Sequence, residues 1–90
     1  MRNGTVEIRN TLGLHARAAA KLVKTANKFA SRVMIRIEDG DVEVNAKSIL
    51  SVLTLAAAKG TKIVVTAEGM DEDAAFEEVF GLFEARFYED

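Results

Sequence analysis

His15 is the only histidine in a chain that has no cysteine, and Arg17 follows it two residues later. Imidazole is the one side chain here whose ordinary titration lies near neutrality, so His15 is the natural centre for nucleophilic or proton-transfer chemistry. The stretch Gly13-Leu14-His15-Ala16-Arg17-Ala18-Ala19-Ala20 sets it between a glycine hinge and a strongly helical run. A histidine at a helix start lies beside unpaired backbone N–H groups and the positive end of the helix dipole. That field favours neutral imidazole with a free ring nitrogen, and it favours an anion bound or attached there. Arg17 adds a permanently charged donor fork suited to phosphate oxygens. The stretch reads as a place to hold a phosphoryl group on, or against, a histidine. Spacing alone leaves a second reading open, a surface or capping histidine with no chemistry.

The elements that must position these residues follow from periodicity. Thr5-Val6-Glu7-Ile8-Arg9 alternates with period two and predicts a strand with Val6 and Ile8 on one face, and Asn10 to Gly13 turns the chain toward His15. From Ala16 to about Ala30, Ala19, Leu22, Val23, Ala26, Phe29 and Ala30 recur at helical spacing, with Lys21, Lys24 and Lys28 on the other side. Val33, Ile35 and Ile37 mark a second strand. Asp39-Gly40 carries hairpin turn chemistry, and Val42-Glu43-Val44 returns as a third. Ser48 stands ahead of Ile49, Leu50, Val52 and Leu53 as an N-cap for a short helix fading by Leu55 to Ala58. Thr61 to Ala67 predicts the fourth strand.

Asp71, Glu72 and Asp73 then place negative charge at the start of a last helix with a buried stripe of Ala75, Val79, Leu82 and Phe83. Phe76, Phe80, Phe87 and Tyr88 widen its apolar face, which suits a tail that folds back onto the core and, less well, a dimer or partner surface. Gly81 inside this helix is expected to mark close packing. The order β-α-β-β-α-β-α predicts an α+β protein with a four-stranded antiparallel sheet and all helices on one face. Periodicity does not fix the strand order, and a ferredoxin-like arrangement fits the same pattern.

Composition narrows the function classes. Ninety residues, 49% apolar and 29% charged, suit one globular domain, residues 1–90. A net charge of −2 gives no support to nucleic-acid binding. The absence of Cys removes thiol catalysis and disulfide frameworks, and a single His makes a histidine metal site improbable, so neither cofactor nor metal is expected. No leader-like or membrane-spanning run stands out, and a cytoplasmic protein is expected.

Two separated motifs carry a resemblance. Gly13-Leu14-His15-Ala16-Arg17, then Asn45-Ala46-Lys47-Ser48-Ile49-Leu50, with Lys59-Gly60 and Ala67-Glu68-Gly69-Met70-Asp71-Glu72 after them, resemble HPr. HPr is the histidine-containing phosphocarrier family of the bacterial phosphoenolpyruvate-dependent sugar phosphotransferase system. The resemblance implies an open-faced β-sandwich, with the first and fourth strands paired centrally and three helices on one side. It implies that His15 accepts a phosphoryl group from enzyme I, on Nδ1, and passes it to a sugar-specific enzyme IIA. Arg17 matches the arginine that steadies that group, beside the backbone N–H groups of Ala16 and Arg17. Ser48 matches a serine that a dedicated kinase modifies in some bacteria, and a phosphorylase would reverse it.

By the same resemblance, Ala16, Arg17 and Ala20 with Ile49, Leu50 and Leu53 form a docking patch rimmed by Lys21, Lys24 and Lys47, on a monomer. Ala18 stands where the family commonly has Pro. Alanine is an excellent helix former, so the helix start is expected to survive. Leu12 replaces a small polar residue, removing a possible cap near the imidazole. Two other readings remain: a regulatory binding module, nitrogen-type or working through Ser48, and an unrelated interaction domain in which His15 is incidental.

Overall fold

A computed structural model describes residues 1–89. Four strands, β1 (Arg2–Glu7), β2 (Arg32–Ile37), β3 (Glu43–Asn45) and β4 (Lys62–Glu68), form one antiparallel sheet. Three helices, α1 (Ala16–Ala26), α2 (Ile49–Thr54) and α3 (Glu72–Glu84), alternate with them in the expected order. The strand order is β1-β4-β2-β3. β1 does pair with β4, but it lies at the edge; the central pair is β4 with β2, which corrects the expectation of a central first and fourth strand.

Alternation sets the faces. Val33, Ile35, Val44, Ile63, Val65 and Ala67 are buried under the helices, and the intervening strand residues line the open face. Ala18, Ala19, Leu22 and Ala26 of α1, Val52 of α2, and Ala75, Val79, Leu82 and Phe83 of α3 complete the core. At the near edge, Gly4 lets Phe76 and Phe80 stack with centroids 5.0 Å apart. A Cβ at Gly4 would come within 3.0 Å of the Phe76 ring.

Element ends differ from the periodic reading where side chains take over backbone partners. α1 stops at Ala26 and not near Ala30, because Asp71, next to α3, accepts from the Ala30 and Ser31 N–H groups, each at 2.9 Å. Those groups thereby leave the i→i−4 ladder. β1 begins earlier than expected and ends at Glu7, yet Ile8 is fully buried and continues the pairing through Thr61 and Gly60. β3 lies one residue later than expected, since the chain between Ile37 and Glu43 forms a longer turn closed by Gly40 N–H on the Ile37 carbonyl at 2.8 Å.

Gly81 overturns its expectation. A Cβ there would meet nothing within 4 Å, so no close packing requires glycine. Gly81→Ala is expected to stabilise the protein by about 0.5–1 kcal/mol, raising the thermal midpoint by about 2–8 °C. A lower midpoint would show that this helix face packs against something.

Beyond α3 the chain does fold back. Arg86, Phe87 and Tyr88 form a left-handed turn with φ of 55°, 55° and 56°. Phe87 is fully buried, edge-on to Phe83 with centroids 4.9 Å apart. Tyr88 stays 78% exposed, so the wide aromatic face is mostly core.

Candidate functional site

The loop before α1 is built to present His15. Gly13 takes φ +65°, and its N–H bonds the Asn10 carbonyl at 3.1 Å. Leu14 N–H donates to the Ala57 carbonyl at 2.9 Å, pinning the loop to the segment after α2. His15 is then the N-cap of α1, in extended backbone with φ −76° and ψ 178°. Its Nδ1 accepts from the Arg17 N–H at 3.3 Å. That is an N-cap bond made by a ring nitrogen in place of an oxygen. The helix begins at Ala16 with Ala18 buried, so alanine does serve where proline is common.

This bond fixes the tautomer. A neutral imidazole has one donor and one acceptor nitrogen; Nδ1 accepts, so Nε2 carries the proton. Nε2–H donates to Glu89 Oε1 at 2.7 Å. The Nδ1 lone pair, engaged among the described residues only by the Arg17 N–H, therefore points at the first turn of α1, where N–H groups have no intrahelical partner. Any group bonded to Nδ1 lies against those donors and beside the 62% exposed Arg17.

Glu89 and Asn10 are the site residues that sequence reasoning missed. Glu89 also accepts from Arg17 Nε at 3.1 Å and from Asn10 Nδ2 at 3.0 Å. Asn10 is fully buried; its amide also donates to the Gly13 carbonyl at 2.8 Å, while Oδ1 has no partner among the described residues. Asn10 reaches the imidazole only through Glu89, and Leu12, which stands where a small polar residue is common, is 63% exposed. The one sequence signal was a buried-type aromatic, Phe87, beyond a helix end and followed two residues later by a carboxylate.

The His15 N–H, with Arg17 and Asn10, holds the Glu89 carboxyl down from its ordinary 4.5 to about 2. A carboxyl depressed by folding adds stability above its ordinary value, and that stability is lost as pH falls through the depressed one. Wild-type protein is therefore expected to melt above Glu89→Gln at pH 7, with the gap shrinking between pH 4.5 and about 2. Calorimetry across that range checks this; a constant gap would mean that the carboxylate is not the group being held.

The other expected residues fall into two sets. Ala16 and Ala20 are exposed on one side of α1, and Lys24 is exposed. Lys21 is half-buried, its Nζ 2.6 Å from the Phe87 carbonyl, and Lys47 reaches the Phe29 carbonyl at 2.7 Å. Ile49 and Leu50 are 39% and 75% exposed, whereas Leu53 packs partly into the core. Ser48 caps α2, its Oγ accepting from Ser51 N–H at 3.4 Å. Asn27 Nδ2 bonds the Lys47 carbonyl at 3.3 Å, so Ser48 sits at the far end of α1 from His15. At 1.5 Å per residue that separation is about 18 Å. The structure does not bring Ser48 to His15.

A family model described as the PTS HPr component phosphorylation site matches residues 3–85. The chain belongs to the HPr family. A phosphocarrier protein HPr from Xylella fastidiosa is 51% identical over 83 residues, covering 92% of this chain and 91% of that protein. A phosphocarrier protein NPr from Escherichia coli is 43% identical, covering 96% and 94%. Among solved structures, HPr from Thermoanaerobacter tengcongensis superposes with a TM-score of 0.92 at 40% identity, over 100% of this chain and 99% of that one. An HPr-family chain is a phosphocarrier of the phosphotransferase system, and the four-stranded sheet with three helices is the family's fold. No helix among the described residues is long and apolar enough to cross a membrane.

Proposed function

We propose that the chain, as one phosphocarrier domain over residues 1–90, accepts a phosphoryl group from enzyme I on His15 Nδ1 and passes it to an enzyme IIA. The observation that carries this is the orientation of the ring: Nδ1 lies against the α1 N-terminus and Nε2–H is held by Glu89. Backbone N–H groups of Ala16 and Arg17, the helix dipole and the Arg17 guanidinium offset the phosphoryl charge. Stabilisation stays modest because the site is open, and a carrier that held its cargo tightly would not release it. The partner enzymes supply most of the positioning of the transition state. Relatives named HPr and NPr share this carrier role, so the transfer comes before any choice between sugar uptake and a nitrogen-type regulatory branch.

We place the reaction in the cytoplasm, with the protein acting as a monomer. Incubation with phosphoenolpyruvate and enzyme I is expected to load one phosphoryl group per chain, to pass it to enzyme IIA, and to fail in His15→Ala. Full loading of folded His15→Ala would overturn the assignment.

Docking in this reading uses Ala16, Arg17, Ala20, Ile49 and Leu50, the exposed members of the expected patch, with Lys24 at its rim. Ser48 is the regulatory position, open to a kinase and a phosphorylase. A phosphate there adds about −1.5 to −2 charge, too far from His15 to touch it directly, so it acts on the approach of an acidic partner. Ser48→Asp is expected to stay folded while raising the apparent KM for enzyme I, with kcat little changed. Unchanged kinetics would remove α2 from the docking surface.

A further inference from the structure

The segment after α3 is held in a conformation that L-residues avoid. Three consecutive non-glycine residues with φ near +55° cost about 1–2 kcal/mol each. Such strain persists only where the surroundings over-determine it. Phe87 fills the core, and Lys21 bonds the Phe87 carbonyl. What the turn delivers is Glu89, with its side chain only 12% exposed and its carboxylate shared among His15, Arg17 and Asn10. A salt bridge to Arg17 alone would not need a buried asparagine behind it.

We propose that Glu89 is a positioning residue for phosphoryl transfer: its carboxylate fixes the Nε2–H tautomer of His15 and balances the positive charge that develops on the ring as Nδ1 bonds to phosphorus. This deepens, and rests on, the reading of His15 as the phosphoryl acceptor. In the step, the Nδ1 lone pair forms the N–P bond while the bond from phosphorus to the donor's leaving group breaks, its electron pair remaining with the donor. The Nε2 proton stays in place, and the ring becomes a phosphoimidazolium facing a carboxylate 2.7 Å away. For onward transfer the same proton makes His15 the better leaving group. The arrangement parallels the carboxylate that orients a histidine base and stabilises its imidazolium in hydrolytic triads.

Among the described residues, the charged groups around the ring are Glu89 from the left-handed turn's end and Arg17 on α1. Lys21 lies a turn further along, its Nζ on the Phe87 carbonyl, and Asn10 is neutral. Glu89 is the one anion among them, so its removal should destabilise the protonated, transfer-ready ring.

The test compares wild type with Glu89→Gln, which keeps the shape and loses the charge, and with Glu89→Asp. All three are loaded by enzyme I and, independently, by phosphoramidate as a chemical donor. Glu89→Gln is expected to lower kcat for loading about tenfold with KM within twofold. It should also move the acid limb of phosphohistidine hydrolysis about one pH unit lower, at unchanged ring geometry by NMR, and Glu89→Asp should recover part of both effects. Wild-type rates and an unshifted hydrolysis profile in Glu89→Gln would overturn the proposal, as would a change in KM alone. Should Glu89→Gln fail to fold, the hydrolysis profile of Glu89→Asp decides on the same shift. If wild type itself takes no phosphoryl group from enzyme I, the carrier reading fails, and the phosphoramidate-loaded proteins still decide the role of Glu89.

Discussion

Phe87→Ala is expected to lower the thermal midpoint by about 12–24 °C and to release Glu89 from His15. Truncating a buried phenylalanine costs about 3–5 kcal/mol. Only a small part of that is returned here, because Lys21 still holds the Phe87 carbonyl and keeps the left-handed turn at Arg86, Phe87 and Tyr88 from relaxing fully. A net loss of about 3 kcal/mol corresponds to that midpoint shift in a domain of this size. The second consequence separates this residue from any other core position. Glu89 lies two residues on, so its hydrogen bonds to His15, Arg17 and Asn10 depend on the same anchor. Ring resonances of the single histidine should therefore move in Phe87→Ala and stay put in Val79→Ala, whose side chain is equally buried on α3. A large loss of stability with unmoved histidine resonances would show that the anchor and the site are independent.

Gly13→Ala should be nearly as costly, for a different reason. The position combines φ +65° with a crowded approach: a Cβ would stand 2.6 Å from the Ala57 carbonyl oxygen and 2.9 Å from Ala58 Cα. Both are backbone atoms, so neither can swing aside as the end of a flexible side chain would. Gly60 supplies the control, with φ +92° and nothing within 4 Å of an added Cβ. Gly60→Ala pays the conformational cost alone, about 1 kcal/mol, whereas Gly13→Ala adds the displaced loop, for a total of roughly 2–3 kcal/mol. Because Leu14 N–H bonds that same Ala57 carbonyl, the shift passes to His15, and loading by enzyme I should slow in Gly13→Ala but not in Gly60→Ala. Equal effects of the two substitutions would mean that the left-handed backbone, and not the contact, sets the requirement.

These two positions also show what a sequence can and cannot reveal. Gly13 ahead of His15 announces a turn feeding a helix, and Ser48 ahead of an apolar run announces a cap; both rest on neighbours within four residues, and both appear in the structure. Alternation along β2 and β4 and the spacing along α3 likewise report a local periodicity that the core then honours. What stayed hidden depends on partners far along the chain. α1 ends early because of Asp71, some forty residues away, and Glu89 meets His15 across a separation of 74 residues. The turn that brings Glu89 there contains no glycine or asparagine, so the usual sign of a left-handed backbone is missing. The strand order is hidden for the same reason: alternation tells which face a strand buries and not which strand lies beside it.

The most direct measurement uses the fact that the chain has one histidine. Protein labelled with 15N at histidine gives a single pair of ring nitrogens, which can be followed before and after loading with phosphoenolpyruvate and enzyme I. Before loading, Nε2 should carry the proton and Nδ1 should resonate as an unprotonated nitrogen, as the bonds to Glu89 and to the Arg17 N–H require. After loading, coupling to phosphorus should appear at Nδ1. Phosphorus coupled to Nε2, or a loaded protein whose histidine nitrogens do not change, would contradict the account.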